Sequence, residues 1–414
     1  MDNNQKILKA KGQERGARLA ASILHPLASI RRLLSPALDL RSPGSLTVAP
    51  FPSDYRKNPY IFLLYDHLKK HEVQVLPKTR FTLLWLLRQR SRVDILHFHW
   101  PHFYYSSKYP LLSQIRFLTF YLKFRLALAL GYKFVWTVHN LFPHEVKPSR
   151  KQAWLRKKLA TSSELIVHCE FAGKRVRETW GKKEGIHLIP HGNYIGFYPH
   201  SVSREEARRK LGLADDALVY LAFGALRRYK GIPELIHSFQ KFHHSVRTRP
   251  IPPEAWHGGV GNPMPLLLIA GKPLRRRVQQ DIEKSARGKD FVRLHLEYIP
   301  DPEVQYFLAA SDFIVLPYQN ILTSGIAILA MSFGKPIIAP RLGCLPEILQ
   351  EKTGLLYDPQ SPDPLLKALE VSLRLDRHEA GKNSYKLAQR LSWEKIADKH
   401  LEVYQLVKRK TTPR

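Results

Sequence analysis

The sequence predicts an α/β protein built from two successive parallel-sheet domains. Three observations lead there. The chain has 414 residues, too long for one ordinary core, so two domains are the default. Short apolar runs recur along it, each followed by a helical period, and repeated strand-then-helix units imply a parallel sheet wrapped by helices. Residues 316–340 show the unit whole: a strand end, the polar loop 318–323, a helix opening at Thr323-Ser324-Gly325 and stopping at Gly334, then a second strand. Thr or Ser at a helix start satisfies free backbone N–H groups, and Gly after the last turn tolerates the left-handed conformation that ends a helix.

Taken in order, residues 1–43 form a basic extension. Within it 17–34 can be helical, interrupted around His25-Pro26, with Leu19, Ile23, Leu27, Ile30 and Leu34 near one face and Arg15, Arg18, Arg31 and Arg32 beside it. That fits an interfacial helix on anionic lipid or an arm docked on its own chain. The first domain, 44–198, carries strands at 46–49, 73–76, 94–100, 134–139, 164–168 and 186–190. Helices are expected at 60–70, near 83–90, and at 111–130, 154–159 and 173–180. A linker at 197–204 leads to the second domain, 199–391. Its helices are 204–211, 232–242, 302–310 and the one after Thr323. Its strands are 218–223, 266–270, 292–298, 313–316 and 336–339, and 247–265 reads as an exposed Pro/Gly-rich loop. The segment 392–414 is a last helix, 393–408, with a basic tail.

Composition narrows the class. Apolar residues make up 44% and aromatic residues 11%, which is globular. There are 66 Lys+Arg against 35 Asp+Glu, a net charge of +31. Such a balance implies a polyanionic surface, an anionic substrate, or both. The basic residues are spread along the chain rather than clustered with aromatics in a known module, so no specific nucleic acid binding is expected. An anionic membrane surface remains a candidate partner. The two cysteines, Cys169 and Cys344, are far apart and form no CxxC motif; no disulfide framework is expected, which suits a reducing compartment. No secretory signal is evident. The most apolar stretch, 117–136, contains Lys123, Arg125 and Lys133, so no transmembrane helix is expected. The expected location is cytoplasmic, with a peripheral place at the cytoplasmic membrane face open.

Several groups can carry chemistry. Gly224–Gly231 (GALRRYKG) lies between a strand and a helix. Gly224 lets backbone approach a phosphate, and Arg227 and Lys230 can neutralise it. The alternative is a solvated basic turn, but the Thr323-Ser324-Gly325 helix start in the same sheet is a second anion site. No Walker pattern occurs, which disfavours a P-loop ATPase. In the first domain His97 and His99 share one face of a strand beside His102. That spacing suits zinc, but no acidic or cysteine ligand completes a site, so no metal is expected and a polar cleft wall is the reading. His139 ends a strand and faces the opening of an α/β sheet, as a general base or as an orienting group for a sugar hydroxyl; the alternative is a hydrogen-bonded structural histidine. His191 follows another strand near the domain hinge. Asp54, Arg56 and Lys57 lie in the first strand-to-helix turn. Glu347 stands at a helix start, where its charge is favourable.

Together these residues resemble glycosyltransferases of the GT-B fold, family 4-like (glycosyl transferases group 1), over about residues 45–408. The landmarks are Asn58-Pro59-Tyr60, His97-Phe98-His99-Trp100, Thr137-Val138-His139-Asn140, Ile189-Pro190-His191-Gly192, Gly224…Lys230-Gly231, Ala310-Ser311-Asp312, Leu316-Pro317-Tyr318, Thr323-Ser324-Gly325, Gly334-Lys335-Pro336, Gly343…Pro346-Glu347 and Ser392-Trp393-Glu394. The resemblance implies two Rossmann-like domains facing across a cleft. It implies a nucleotide-diphosphate sugar donor on the C-terminal domain and a saccharide or lipid-linked acceptor on the N-terminal one. Lys230 matches the diphosphate-binding lysine and His139 a cleft histidine near the transferred sugar. Tyr318, His97, His99, His191, Asp54 and Glu347 would line the donor or acceptor cleft. No cofactor is implied, because basic side chains and a helix dipole offset the leaving-group charge without metal. Retention of anomeric configuration is the family default. Two departures stand out: the family's paired glutamates would fall at Leu322 and Ala330, and its arginine after the first glycine at Ala225. Loss of the glutamates also admits a catalytically silent scaffold of a polysaccharide assembly.

Overall fold

The computed structural model describes residues 46–54, 58–143, 149–249, 264–350 and 352–410. The helix expected within the N-terminal extension, Arg56, Lys57 and most of the 247–265 loop lie outside them.

Two six-stranded sheets form, as the alternating pattern requires. The first has the order β2-β1-β3-β4-β5-β6. Its strands are β1 (Leu46–Phe51), β2 (Val73–Val75), β3 (Ile95–Phe98), β4 (Lys133–Thr137), β5 (Glu164–Val167) and β6 (Ile186–Leu188). The second has the order β12-β11-β10-β7-β8-β9, from β7 (Leu218–Phe223), β8 (Pro265–Ala270), β9 (Val292–His295), β10 (Phe313–Val315), β11 (Ile337–Pro340) and β12 (Gly354–Tyr357). Registered pairs such as β1–β3, β5–β6, β7–β8 and β10–β11 are parallel. Strand β12 and the helices Arg276–Ala286, Pro364–Ser372 and Arg377–Gln389 extend the expected element set.

By compactness the described chain divides into a smaller unit, 46–54, 72–134 and 405–410, and a larger one, 58–71 and 135–404. In the smaller unit an aromatic core forms around Phe51, whose ring stacks 4.8 Å from Phe98. Phe98 in turn stacks 6.0 Å from Phe134, and Phe81 lies 5.3 Å from Phe120. Such pairs contribute beyond the area they bury.

In the larger unit β7 is buried on both faces. Val219, Leu221 and Phe223 pack into one cluster, and Leu218, Tyr220 and Ala222 into the other. This is the expected state of a parallel strand covered by helices on each side. Asp312 pins the helices Arg204–Leu211 and Arg377–Gln389 to that sheet. Its carboxylate accepts from Val219 N at 2.8 Å and pairs with Arg204, Arg208 and Arg377 at 3.2, 2.8 and 2.9 Å. The helix Pro59–Lys70 starts on Asn58, whose Oδ1 accepts from Ile61 N, with Pro59 at the first helical position. Trp393 Nε1 donates to Asn193 O at 2.6 Å and anchors the start of the last helix, Trp393–Arg409. Among the described residues no helix is long and apolar enough to cross a membrane.

Candidate functional site

The loop after β7 is shaped by its glycines. Gly224 has φ +91°, and a Cβ there would stand 2.8 Å from Ile326 Cδ1. Gly231 has φ +64°, and a Cβ there would strike the Pro317 carbonyl. Backbone of this loop therefore lies against the start of the helix Gly325–Ser332. Between the two glycines a short 3-10 turn, Arg228–Lys230, folds the Lys230 side chain inward. Lys230 Nζ donates to Phe223 O at 3.4 Å and lies 5.7 Å from the Tyr318 ring. Burial, then the nearby Arg227 guanidinium, push its pKa down from the ordinary 10.5 to about 8. A buried ammonium beside a second cation is a site that an anion would stabilise.

Ser324, not Thr323, caps the Gly325–Ser332 helix: its Oγ accepts from Ala327 N at 3.2 Å. Tyr318 Oη lies 3.2 Å from that Oγ, and Gln319 N donates to Tyr229 O at 2.8 Å. The two expected anion sites, 224–231 and 323–325, are thus one continuous structure. Thr323 has a different task. Its Oγ1 donates to the backbone carbonyl of His139 at 3.2 Å, which ties the loop after β4 to this helix start.

His139 sits in a buried cluster with His168, His191 and Tyr60. The Tyr60 ring lies 4.9 Å from His139, 5.4 Å from His168 and 4.7 Å from His191. Hydrogen bonds set the tautomers. His168 Nδ1 is 2.9 Å from Ile189 O, a carbonyl that only accepts, so Nδ1 carries the proton. Burial lowers the His168 pKa to about 4, so the ring is neutral and its Nε2 accepts. His139 Nδ1, 3.3 Å from that Nε2, is then the donor. His191 Nδ1 donates to Gly192 O at 2.7 Å, and burial, then His168, lower its pKa to about 3. Its Nε2 lies near the space above Gly325.

Glu347 caps a helix, but not its own. Its carboxylate accepts from Glu170 N and Phe171 N, both at 2.7 Å, at the start of Glu170–Trp180. Beside it Cys169 and Cys344 form a disulfide, with Cα atoms 5.7 Å apart. This overturns the expectation drawn from their spacing. A separation of 175 residues hides that both cysteines follow strand ends on facing turns. Cysteine usage therefore gives no support for a reducing compartment.

Two cavities flank these residues. One of about 280 Å³ is lined by His168, His191, Thr323, Ser324 and Glu347 among others. Another of about 490 Å³ is lined by Asn140, Arg175, Tyr229, Gln319 and Leu322 among others. Leu322 is 8% exposed and Ala330 fully buried, so a carboxylate at either would need a buried partner. Asp54, His97 and His99 belong to the smaller unit. His97 and His99 are buried there with rings 4.3 Å apart. Among the described residues no group of three His, Cys, Asp or Glu is arranged to hold a metal ion.

Sequence reasoning passed over His168. The rule that singled out His139 and His191, a histidine at the carboxyl end of a parallel strand, applies equally to His168 after β5.

Residues 203–387, which hold the Gly224 loop, the Gly325 helix and the Asp312 pivot, match the family described as glycosyl transferases group 1. The second domain is similar to that family. The chain is 27% identical over 289 residues to the "GDP-mannose:glycolipid 4-beta-D-mannosyltransferase" of Xanthomonas campestris pv. campestris, covering 68% of this chain and 70% of that one. Among solved structures it resembles sucrose-phosphate synthase from Thermosynechococcus elongatus, with a TM-score of 0.66 and 19% identity over 87% of this chain and 99% of the other. Anabaena HepE in complex with UDP-glucose aligns with a TM-score of 0.64 and 15% identity, covering 87% and 100%. The GT-B fold of the chain agrees with both.

Proposed function

We propose that this protein is a group 1 glycosyltransferase that moves a sugar from a nucleotide-diphosphate sugar to a saccharide or lipid-linked acceptor in polysaccharide or glycolipid synthesis. GDP-mannose is the first donor to test. The observation that carries this is the joining of Gly224–Gly231 to the Thr323–Gly325 helix start around a buried, anion-seeking Lys230. The Xanthomonas relative, named for GDP-mannose and a glycolipid, supports the donor and acceptor class.

In this reading the diphosphate lies against Gly224 and the N–H groups of the Gly325 helix, with Arg227 and Lys230 on its oxygens. His139 Nε2 takes the proton of the acceptor hydroxyl as that oxygen bonds to the anomeric carbon. The bond from the anomeric carbon to the diphosphate breaks, and the diphosphate leaves with the electron pair. Lys230, Arg227 and the helix start offset the charge that develops, so no metal is required. Tyr318 holds Ser324 at the cap, and His191 lines the sugar side.

The Xanthomonas name specifies a β-linked product. From an α-linked donor that is inversion, whereas retention is the default of the wider resemblance, and the product anomer read by NMR decides. The test is incubation with a panel of nucleotide-diphosphate sugars and a lipid-linked saccharide extract, following hexose addition by mass spectrometry. Transfer from one donor is expected. No thermal shift, hydrolysis or transfer with any donor would sink the reading. The missing acids at Leu322 and Ala330 favour the scaffold alternative. It gains if Lys230→Ala leaves cellular product unchanged while deletion of the protein abolishes it.

A further inference from the structure

The helix Pro110–Ala129 carries apolar residues on two faces. Phe120, Phe124 and Ala127 are buried in the core of the smaller unit. On another side Leu111, Ile115, Leu118 and Leu122 are 72, 52, 55 and 54% exposed. The spacing i, i+4, i+7, i+11 places these four in one narrow stripe. Phe103 and Tyr109, just before the helix, are 59 and 58% exposed. Single exposed leucines need no explanation, but a contiguous apolar stripe of this size marks an interaction surface.

Charge identifies the occupant. No acidic residue occurs between Asp94 and Glu145. Over the same interval Lys108, Arg116, Lys123, Arg125 and Lys133 supply only positive charge. By the geometry of the helix Arg125 borders the apolar stripe, and Arg116 and Lys123 lie together on one side of it, about a third of a turn away. The helix has the 20 residues of a span but is not apolar enough to cross a bilayer, since it carries Arg116, Lys123 and Arg125. Exposed leucines and aromatic rings with lysines and arginines alongside are the makeup of a helix lying in a membrane interface. An acidic protein partner would be served by the cations but would leave the leucine stripe without a matching apolar bed.

We propose that the exposed face of Pro110–Ala129, with Phe103 and Tyr109, docks this enzyme on an anionic lipid bilayer. Leu111, Ile115, Leu118 and Leu122 enter the boundary between headgroups and acyl chains, and Arg125, with Arg116 and Lys123 on the side of the helix, meets lipid phosphates. This surface is separate in sequence from the N-terminal extension and from the residues assigned to donor binding. The proposal does not rest on the donor assignment.

The test uses the full chain and vesicle co-flotation. Vesicles are phosphatidylcholine alone or phosphatidylcholine mixed with phosphatidylglycerol. Two variants are compared with wild type: L111Q/I115Q/L118Q/L122Q and R116Q/K123Q/R125Q. All seven side chains lie outside the buried core, so melting temperatures should match wild type and report intact folding. Wild type should partition onto phosphatidylglycerol vesicles. The apolar variant should lose at least about tenfold of that partitioning, and the charge variant should lose the preference for phosphatidylglycerol. Flotation of the apolar variant equal to wild type would overturn the proposal and move membrane binding to the extension. A wild-type dimer that becomes monomeric in the apolar variant, with no vesicle binding by either, would overturn it in favour of a second copy of this chain.

Discussion

Replacing Lys230 with methionine should make the unliganded enzyme more stable and the donor complex weaker. The ammonium is buried and its pKa is lowered from 10.5 to about 8. Holding it charged at neutral pH therefore costs the fold about 3 kcal/mol. Methionine has similar length and carries no charge. It forfeits the 3.4 Å hydrogen bond to Phe223 O, which leaves a net gain of about 1–2 kcal/mol, or several degrees in melting temperature. The sign with pH follows from the same shift. Between about pH 8 and 10.5 the unfolded lysine holds its proton and the folded one does not. The wild-type fold thus gains stability as pH rises through that window, and the variant lacks this contribution. Donor binding moves the other way. A charge-assisted contact to phosphate contributes about 1.5–3 kcal/mol, so GDP affinity should fall about 10- to 150-fold. Differential scanning fluorimetry of the unliganded protein and calorimetric titration with GDP read the two effects separately. A variant that is less stable than wild type, or one that binds GDP within about threefold of it, refutes the reasoning.

Three other perturbations have definite outcomes. His168, His191 and His400 are buried with pKa values lowered to about 4, 3 and 3. Below pH 6.5 the unfolded chain takes up protons that these folded rings refuse, so stability is full above that pH and falls by about 2 kcal/mol per histidine by about pH 5; a melting temperature unchanged between pH 7 and 5 would contradict it. His168→Leu removes the acceptor that holds His139 in its tautomer, whereas His168→Gln keeps an oxygen there. The leucine variant should lose about tenfold or more in kcat with little change in donor KM, the glutamine variant should recover most of it, and nitrogen NMR should show His139 protonated on Nδ1 in wild type. Cys169→Ser opens a loop closed across 175 residues and should lower stability by about 2–4 kcal/mol in oxidising buffer. In reductant the two proteins should melt together, and equal melting without reductant would argue against the bond.

Much of the fold was legible because its strands are buried runs. LVYLAF in β7 reads as a parallel strand from composition alone, and the structure buries all six residues. The joining of 224–231 to 323–325 was legible too, since both follow strand ends in one sheet. Strand β12 was not, because its four residues are each only half-buried and show no alternation. Helix Arg276–Ala286 was not, because only Val278 and Ile282 are buried and two apolar residues define no stripe. At the site, hydrogen bonds carry what periodicity cannot. Nothing local assigns Glu347 to the helix beginning at Glu170, Thr323 to the His139 carbonyl, or Cys169 to Cys344.

The central claim is that the loop from Gly224 to Gly231 and the helix start at Gly325 recognise a diphosphate. Calorimetric titration of the wild-type enzyme with GDP and with GMP tests it most directly, because the two ligands differ only in the second phosphate. GDP should bind at least about tenfold more tightly, the value of one charge-assisted phosphate contact. Equal affinity for the two, or no binding of either, would contradict the account.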